Sequence, residues 1–189
     1  MPRPLLILAL AAGLVPATLS AQSAAAKAEP AKTGAPKPSF GASAIRENWQ
    51  VVTQYIVRAA EQVSEADYAF KPTPEVRSFG ELFGHLAGSQ NMFCAMVLGE
   101  EVPAEDAVEK GTAGKAALVA ALKQSTEYCA RAYARDDAAL AETVQVFGQE
   151  RSRMSVLAMN AVHNGEHYGN IVTYLRLKGM VPPSSQRGQ

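Results

Sequence analysis

The stretch from Ser152 to Lys178 reads as one long helix. It is closed by Gly179 and then by Pro182-Pro183, the order of stop signals expected at a helix end. Three further helical periods lie upstream. From Ala44 to Val63 the apolar residues Ile45, Trp49, Val52, Ile56, Ala59, Ala60 and Val63 recur at steps of three and four, with Ser43 placed as N-cap. Residues 64–77 contain Lys71-Pro-Thr-Pro74 and have no helical period, which predicts a loop. Ser78 caps a second helix to about Leu98, and Gly99 stops it; Pro103, Gly111 and Gly114 mark the next loop. A third helix over Lys115 to Arg135 has Leu118, Leu122, Tyr128, Cys129 and Ala132 on its apolar face, and Asp136-Asp137 opens the connection that follows. No segment alternates convincingly over strand length, and only Glu142 to Phe147 is ambiguous. The expected class is all-α, a four-helix bundle with no internal repeat.

The bundle is preceded by two segments of other character. Met1-Pro-Arg-Pro carries one positive charge, Leu5 to Val15 is apolar apart from Gly13, and Pro16 leads into the small-residue stretch Ala17 to Ala21. This reads as a secretory signal peptide over 1–21, cleaved after Ala21, and so as a protein exported to the periplasm or secreted. The apolar run falls short of the ~20 residues that span a membrane, and no cysteine precedes Cys94 to carry a lipid, so no stable membrane anchor is expected after cleavage. Residues 22–40, rich in Ala, Lys and Pro, lack the apolar side chains needed to offset ordering entropy and read as a flexible linker. The folded unit is then 41–183, the size of one domain, with 184–189 a flexible tail. With 18 basic and 18 acidic side chains and no block of like charge, nothing argues for nucleic acid as a partner.

The chain has only three histidines, His85, His163 and His167. Four residues advance a helix by about 400°, so His163 and His167 stand one above the other on one face, the spacing two imidazoles need to share a metal ion. Asn160, Asn170 and Tyr174 fall near the same stripe. His85 lies mid-way along the second helix, with Glu81, Ser89 and Met92 on its side, and facing helices of a bundle can bring the three imidazoles together. A single histidine on an apolar face is ordinarily a hydrogen-bonded core residue, but two stacked imidazoles without a partner face a desolvation cost that a metal relieves. The segment His163-Asn-Gly-Glu-His167 also matches the H-x-x-E-H zinc signature of inverted metalloproteases, with Glu166 as base. No Asp, Glu, His or Cys follows His167 to complete that site, so the protease reading is rejected. Glu166 lies about 80° off the histidine midline and either flanks the site or faces water.

The histidine of the second helix, the HxxxH pair of the fourth, the segment Arg77-Ser-Phe-Gly-Glu-Leu-Phe-Gly-His85-Leu-Ala-Gly, and the run from His167-Tyr-Gly-Asn to Pro182-Pro183 resemble the DinB-like (DinB/YfiT-like) family of metalloenzymes. The likeness covers about residues 44–183. It implies a four-helix bundle of unusual handedness with a divalent metal on His85, His163 and His167. It also implies chemistry of the kind seen in metal-dependent transferases and isomerases that use low-molecular-weight thiols.

Three neutral imidazoles leave a +2 ion its full charge and an open position, suited to activating water or holding a thiol. Export weakens the thiol-transferase reading, because such cofactors are not expected outside the cytoplasm. Hydrolysis of a small substrate leads, and a metal-binding or structural module without turnover is the alternative. No residue within the stripe is compelling as a general base, which favours the alternative somewhat. Candidate supporting groups are Glu81, Asn160, Glu166 and Tyr174, each with a packing or surface role as the plainer reading. Imidazole suits Zn, Ni, Fe or Cu, and the sequence does not choose among them. A homodimer is left open. Cys94 and Cys129 suit a disulfide in an oxidising compartment. If the second and third helices are antiparallel neighbours, however, Cys129 lies about ten residues too deep, about 15 Å at 1.5 Å per residue, unless a helix start shifts.

Overall fold

The computed structural model describes residues 39–186. The expected signal peptide, the linker as far as residue 38 and the last three residues of the tail lie outside this range. The second long helix, α2 (Phe79–Leu98), starts where Ser78 and Glu81 satisfy each other's backbone: Ser78 N–H donates to Glu81 Oε2 at 2.7 Å, and Glu81 N–H donates to Ser78 Oγ at 3.2 Å. It ends at Gly99, whose φ of 74° only glycine adopts without strain. The first helix, α1 (Phe40–Gln62), begins a turn earlier than expected, so the linker stops short of residue 40. Ser43 is not its cap. Asp137, distant in sequence, accepts the Ala42 N–H at 2.7 Å, while Asp137 N–H donates to Ser39 Oγ at 2.9 Å. A 3₁₀ turn, Glu65–Ala69, interrupts the expected loop.

Beyond α2 the chain forms the short α3 (Ala107–Gly111), then α4 (Lys115–Tyr133), α5 (Asp137–Ala141), the strands β1 (Thr143–Val146) and β2 (Gln149–Ser152), and α6 (Arg153–Leu177). The ambiguous stretch is thus the first strand of a two-stranded antiparallel hairpin, so the bundle carries a small β element. Its turn is Phe147-Gly148, both at positive φ, 49° and 77°. The tail does not start loose: Pro183–Ser185 forms a 3₁₀ turn, and Arg58 Nη2 donates to Gln186 Oε1 at 2.6 Å.

Residue pairings fix the directions of the long helices. Gln90 meets Ser125, Cys94 meets Cys129 and Glu100 meets Arg131, so α2 and α4 are parallel. His85 meets His163 and Arg77 meets Tyr174, so α6 runs antiparallel to α2. Gly41 lies against Met154 and Tyr55 stacks on Tyr168, placing α1 parallel to α6, while Trp49 stacks on Tyr133 and Glu61 pairs with Lys123, making α1 antiparallel to α4. The parallel α2–α4 pair arises because the 99–114 connection doubles back along α2 instead of turning at its end. Two glycines on α2 admit it: a Cβ on Gly88 would stand 2.0 Å from the Glu105 carbonyl oxygen, and one on Gly84 would stand 2.8 Å from Glu109 Cα.

The interior has two apolar regions. One contains Ile56, Phe79, Phe83, Leu122 and Ile171; the other contains Trp49, Phe93, Tyr133, Val156 and Leu157. A buried polar layer includes Gln90, which accepts from Trp49 Nε1 at 3.0 Å and donates to Ser125 Oγ at 3.1 Å. Among the described residues no helix is long and apolar enough to cross a membrane.

Candidate metal centre

Between α2 and α6 the three imidazoles converge. His163 Nε2 lies 3.1 Å from His85 Nε2 and 3.1 Å from His167 Nε2, and one nitrogen of each ring lies within 4.8 Å of the others. A neutral ring nitrogen has either one proton or one lone pair, so His163 Nε2 cannot satisfy both neighbours by hydrogen bonding. A shared cation can. Ligand nitrogens about 2.0–2.1 Å from a metal, at angles of 90–110°, stand about 2.8–3.4 Å apart, which matches the 3.1 Å that His163 Nε2 makes to each of the other two.

The outer nitrogens fit the same reading, because each faces a different polar group. Ser89 Oγ donates to the His85 carbonyl at 2.8 Å and so turns a lone pair toward His163 Nδ1, 3.4 Å away. Asn170 Nδ2 lies 3.4 Å from His167 Nδ1. His85 Nδ1 is buried without a hydrogen bond and faces Glu109 Oε2 at 3.6 Å. Acceptors such as the Ser89 hydroxyl and the Glu109 carboxylate orient metal-ligating histidines and leave Nε2 free for the ion. Burial, reinforced by the Arg77 charge and by the rings' mutual repulsion, lowers all three imidazoles to about 4, so near neutral pH they are uncharged donors.

Two carboxylates reach the centre from the doubled-back connection. Glu109 Oε1 accepts from Arg77 Nε at 2.9 Å, while its other oxygen faces His85. Glu105 Oε1 lies 3.9 Å from His85 Nε2 and 4.0 Å from His163 Nε2, on the inner side of the rings. A cavity of about 570 Å³ opens beside the centre, with Arg77, Glu81, Glu109, His167, Asn170 and Tyr174 among its walls.

A family model described as the DinB superfamily matches residues 45–171. The chain belongs to the DinB superfamily. Comparison of the sequence with curated proteins gives no match. Among solved structures, a DinB-like protein of Bacillus cereus ATCC 10987 superposes with a TM-score of 0.65 at 12% identity, over 75% of this chain and 95% of that one. A DinB-like protein of Bacillus subtilis gives 0.61 at 22% identity, over 77% and 99%. YfiT of Bacillus subtilis, described as a probable metal-dependent hydrolase with an unusual four-helix bundle topology, gives 0.60 at 14% identity, over 80% and 94%. At these identities the likeness concerns the fold.

In this DinB-superfamily chain the structure redistributes the expected supporting groups. Tyr174 stands on the cavity wall, its hydroxyl donating to the Arg77 carbonyl at 3.0 Å. Glu81 also lines the cavity, but its carboxylate is engaged by the Ser78 N–H and by Lys71 Nζ at 2.9 Å. Asn160 does not join the histidines. It is fully buried beside Cys94 and Cys129 and donates to the Tyr133 hydroxyl at 3.2 Å. Glu166 is exposed on α6. Cys94 and Cys129 form a disulfide with Cα atoms 5.3 Å apart, and the parallel course of α2 and α4 removes the depth mismatch that an antiparallel pair would impose. Sequence reasoning missed Glu105, Glu109 and Arg77. The available signal was the Gly84/Gly88 pair flanking His85, matched by carboxylates with the same four-residue step.

Proposed function

We propose that this chain is an exported hydrolase of a small substrate, dependent on a divalent metal held by His85, His163 and His167. The convergence of three uncharged Nε2 atoms beside an open cavity carries this reading. A divalent ion held by His85, His163 and His167 would supply Lewis acidity and lower the pKa of a bound water to about 7. The protein's own contribution is positional. Ser89, Asn170 and Glu109 fix the ring orientations, Arg77 compensates the Glu109 charge, and the tight seat of the connection on Gly84 and Gly88 walls one side of the centre. Arg77 and Tyr174 also shape the space a substrate would enter. Export is supported by the leader-like segment at 1–21 and by the Cys94–Cys129 pair, which suits an oxidising compartment.

Elemental analysis of the purified protein tests the site. The expected result is about one metal per chain, falling in His85→Ala and most of all in His163→Ala, whose ring is close to both others. Retention of metal by both variants would falsify the site. Zinc-, nickel- and iron-loaded protein is then assayed on ester, amide and phosphoester panels, and turnover that vanishes in the same variants is expected. Bound metal without turnover on any panel makes the chain a metal-binding module instead.

A further inference from the structure

We propose that Glu105 is the proton-accepting residue of this centre, a role that rests on the hydrolase reading above. Glu105 and Glu109 arrive on the same short segment but meet the histidines differently. Glu109 addresses an outer nitrogen and is charge-compensated by Arg77. Glu105 addresses the inner nitrogens of two rings, at 3.9 and 4.0 Å, and among the described residues it has no hydrogen bond or other ionic partner. A fourth ligand of the same ion would sit about as close to those nitrogens as they sit to each other, about 2.8–3.4 Å. Glu105 stands farther out than a ligand would, so its carboxylate borders the position that a metal-bound water would take. Its place is set by the fold, because its carbonyl oxygen rests in the gap left by Gly88. Its side chain is 44% exposed, so it borders both the centre and solvent.

In ester hydrolysis Glu105 takes one proton from the attacking water as an O–H bond breaks. The water oxygen keeps that electron pair and forms the new bond to the carbonyl carbon. The bond from carbon to the alcohol oxygen then breaks, and the proton passes from the Glu105 carboxyl to the departing alkoxide. Water and ester are consumed, acid and alcohol are formed, and Glu105 returns to its starting state.

The test compares the full wild-type chain with Glu105→Gln. Zinc affinity is measured by chelator competition, hydrolysis with p-nitrophenyl acetate and bis(p-nitrophenyl) phosphate, and azide affinity from the visible spectrum of the cobalt-loaded protein. Zinc affinity should fall by no more than about tenfold, and hydrolysis should fall about 10²–10⁴-fold, the usual contribution of a positioned acid–base group. Azide should bind on the order of tenfold more tightly to the variant, because an anionic neighbour facing the open position has been removed. A loss of zinc affinity on the order of a hundredfold or more would make Glu105 a ligand or a ligand's partner and overturn the proposal. Unchanged azide affinity overturns it as well, since Glu105 then does not face the open position. Equal hydrolysis by both proteins overturns this role alone, whereas a zinc-loaded wild type that hydrolyses neither probe overturns both the role and the hydrolase reading.

Discussion

His163 occupies the centre of the site because its Nε2 is the nitrogen 3.1 Å from each of the other two. The same burial that readies the three rings for a cation costs the metal-free protein stability in acid. The native rings bind protons only near pH 4, whereas unfolded histidines bind them near 6.5. Between those values the unfolded chain holds more protons, so stability falls as pH drops from 6.5 toward 4 and is insensitive to these groups above 6.5. Thermal melts of the metal-free chain across pH 4–8 should show that slope, and His163→Ala should reduce it. A slope equal in both proteins would remove His163 from the account. The stripe that located His163 and His167 also took in Asn160, for which the plainer reading, a packing role, is the one the structure shows. A wheel projection discards height, and three residues are about 4.5 Å along the axis, enough to move Asn160 out of the centre and beside the disulfide.

At the level of elements, the Gly84/Gly88 seat decides both the path of the chain and the position of two carboxylates. Alanine ordinarily favours a helix over glycine by about 1 kcal/mol, but Gly88→Ala puts a methyl 2.0 Å from a backbone oxygen, and the overpacking term should win. We expect a net loss of about 1–3 kcal/mol in urea denaturation, with weaker hydrolysis as Glu105 is displaced. A variant as stable and as active as the parent would show that the connection is not held there. What the sequence made legible was local. Ser78, Gly99, Gly179 and the His163/His167 spacing each act within a few residues, and each marks a helix end or face correctly. What stayed hidden was held by distant partners: α1 begins at Phe40 because Asp137 satisfies its first amides, and the hairpin's second strand, Gln149–Ser152, has no apolar alternation to betray it. The direction of α4 was hidden for the same reason, since small residues on α2 signal a close approach without naming what approaches.

Across the whole molecule, α2 is the hub. The Cys94–Cys129 disulfide closes a separation of 35 residues and constrains the unfolded chain accordingly. Replacing both cysteines with alanine should lower stability by about 3–4 kcal/mol while leaving metal stoichiometry intact, because the disulfide lies in the apolar region around Trp49 and not at the histidines. Parallel loss of metal would mean that the two ends of α2 are coupled. The disulfide fastens α2 to α4, and a bound ion would fasten it to α6, but α1 has neither tie. In the oxidised, metal-loaded protein, amide hydrogen exchange should therefore begin in α1 while α2, α4 and α6 remain protected. Exchange reaching α2 first would refute that order. The first long helix among the described residues would thus be the first to let go, so that the bundle opens from its α1 side while its metal-binding half stays closed.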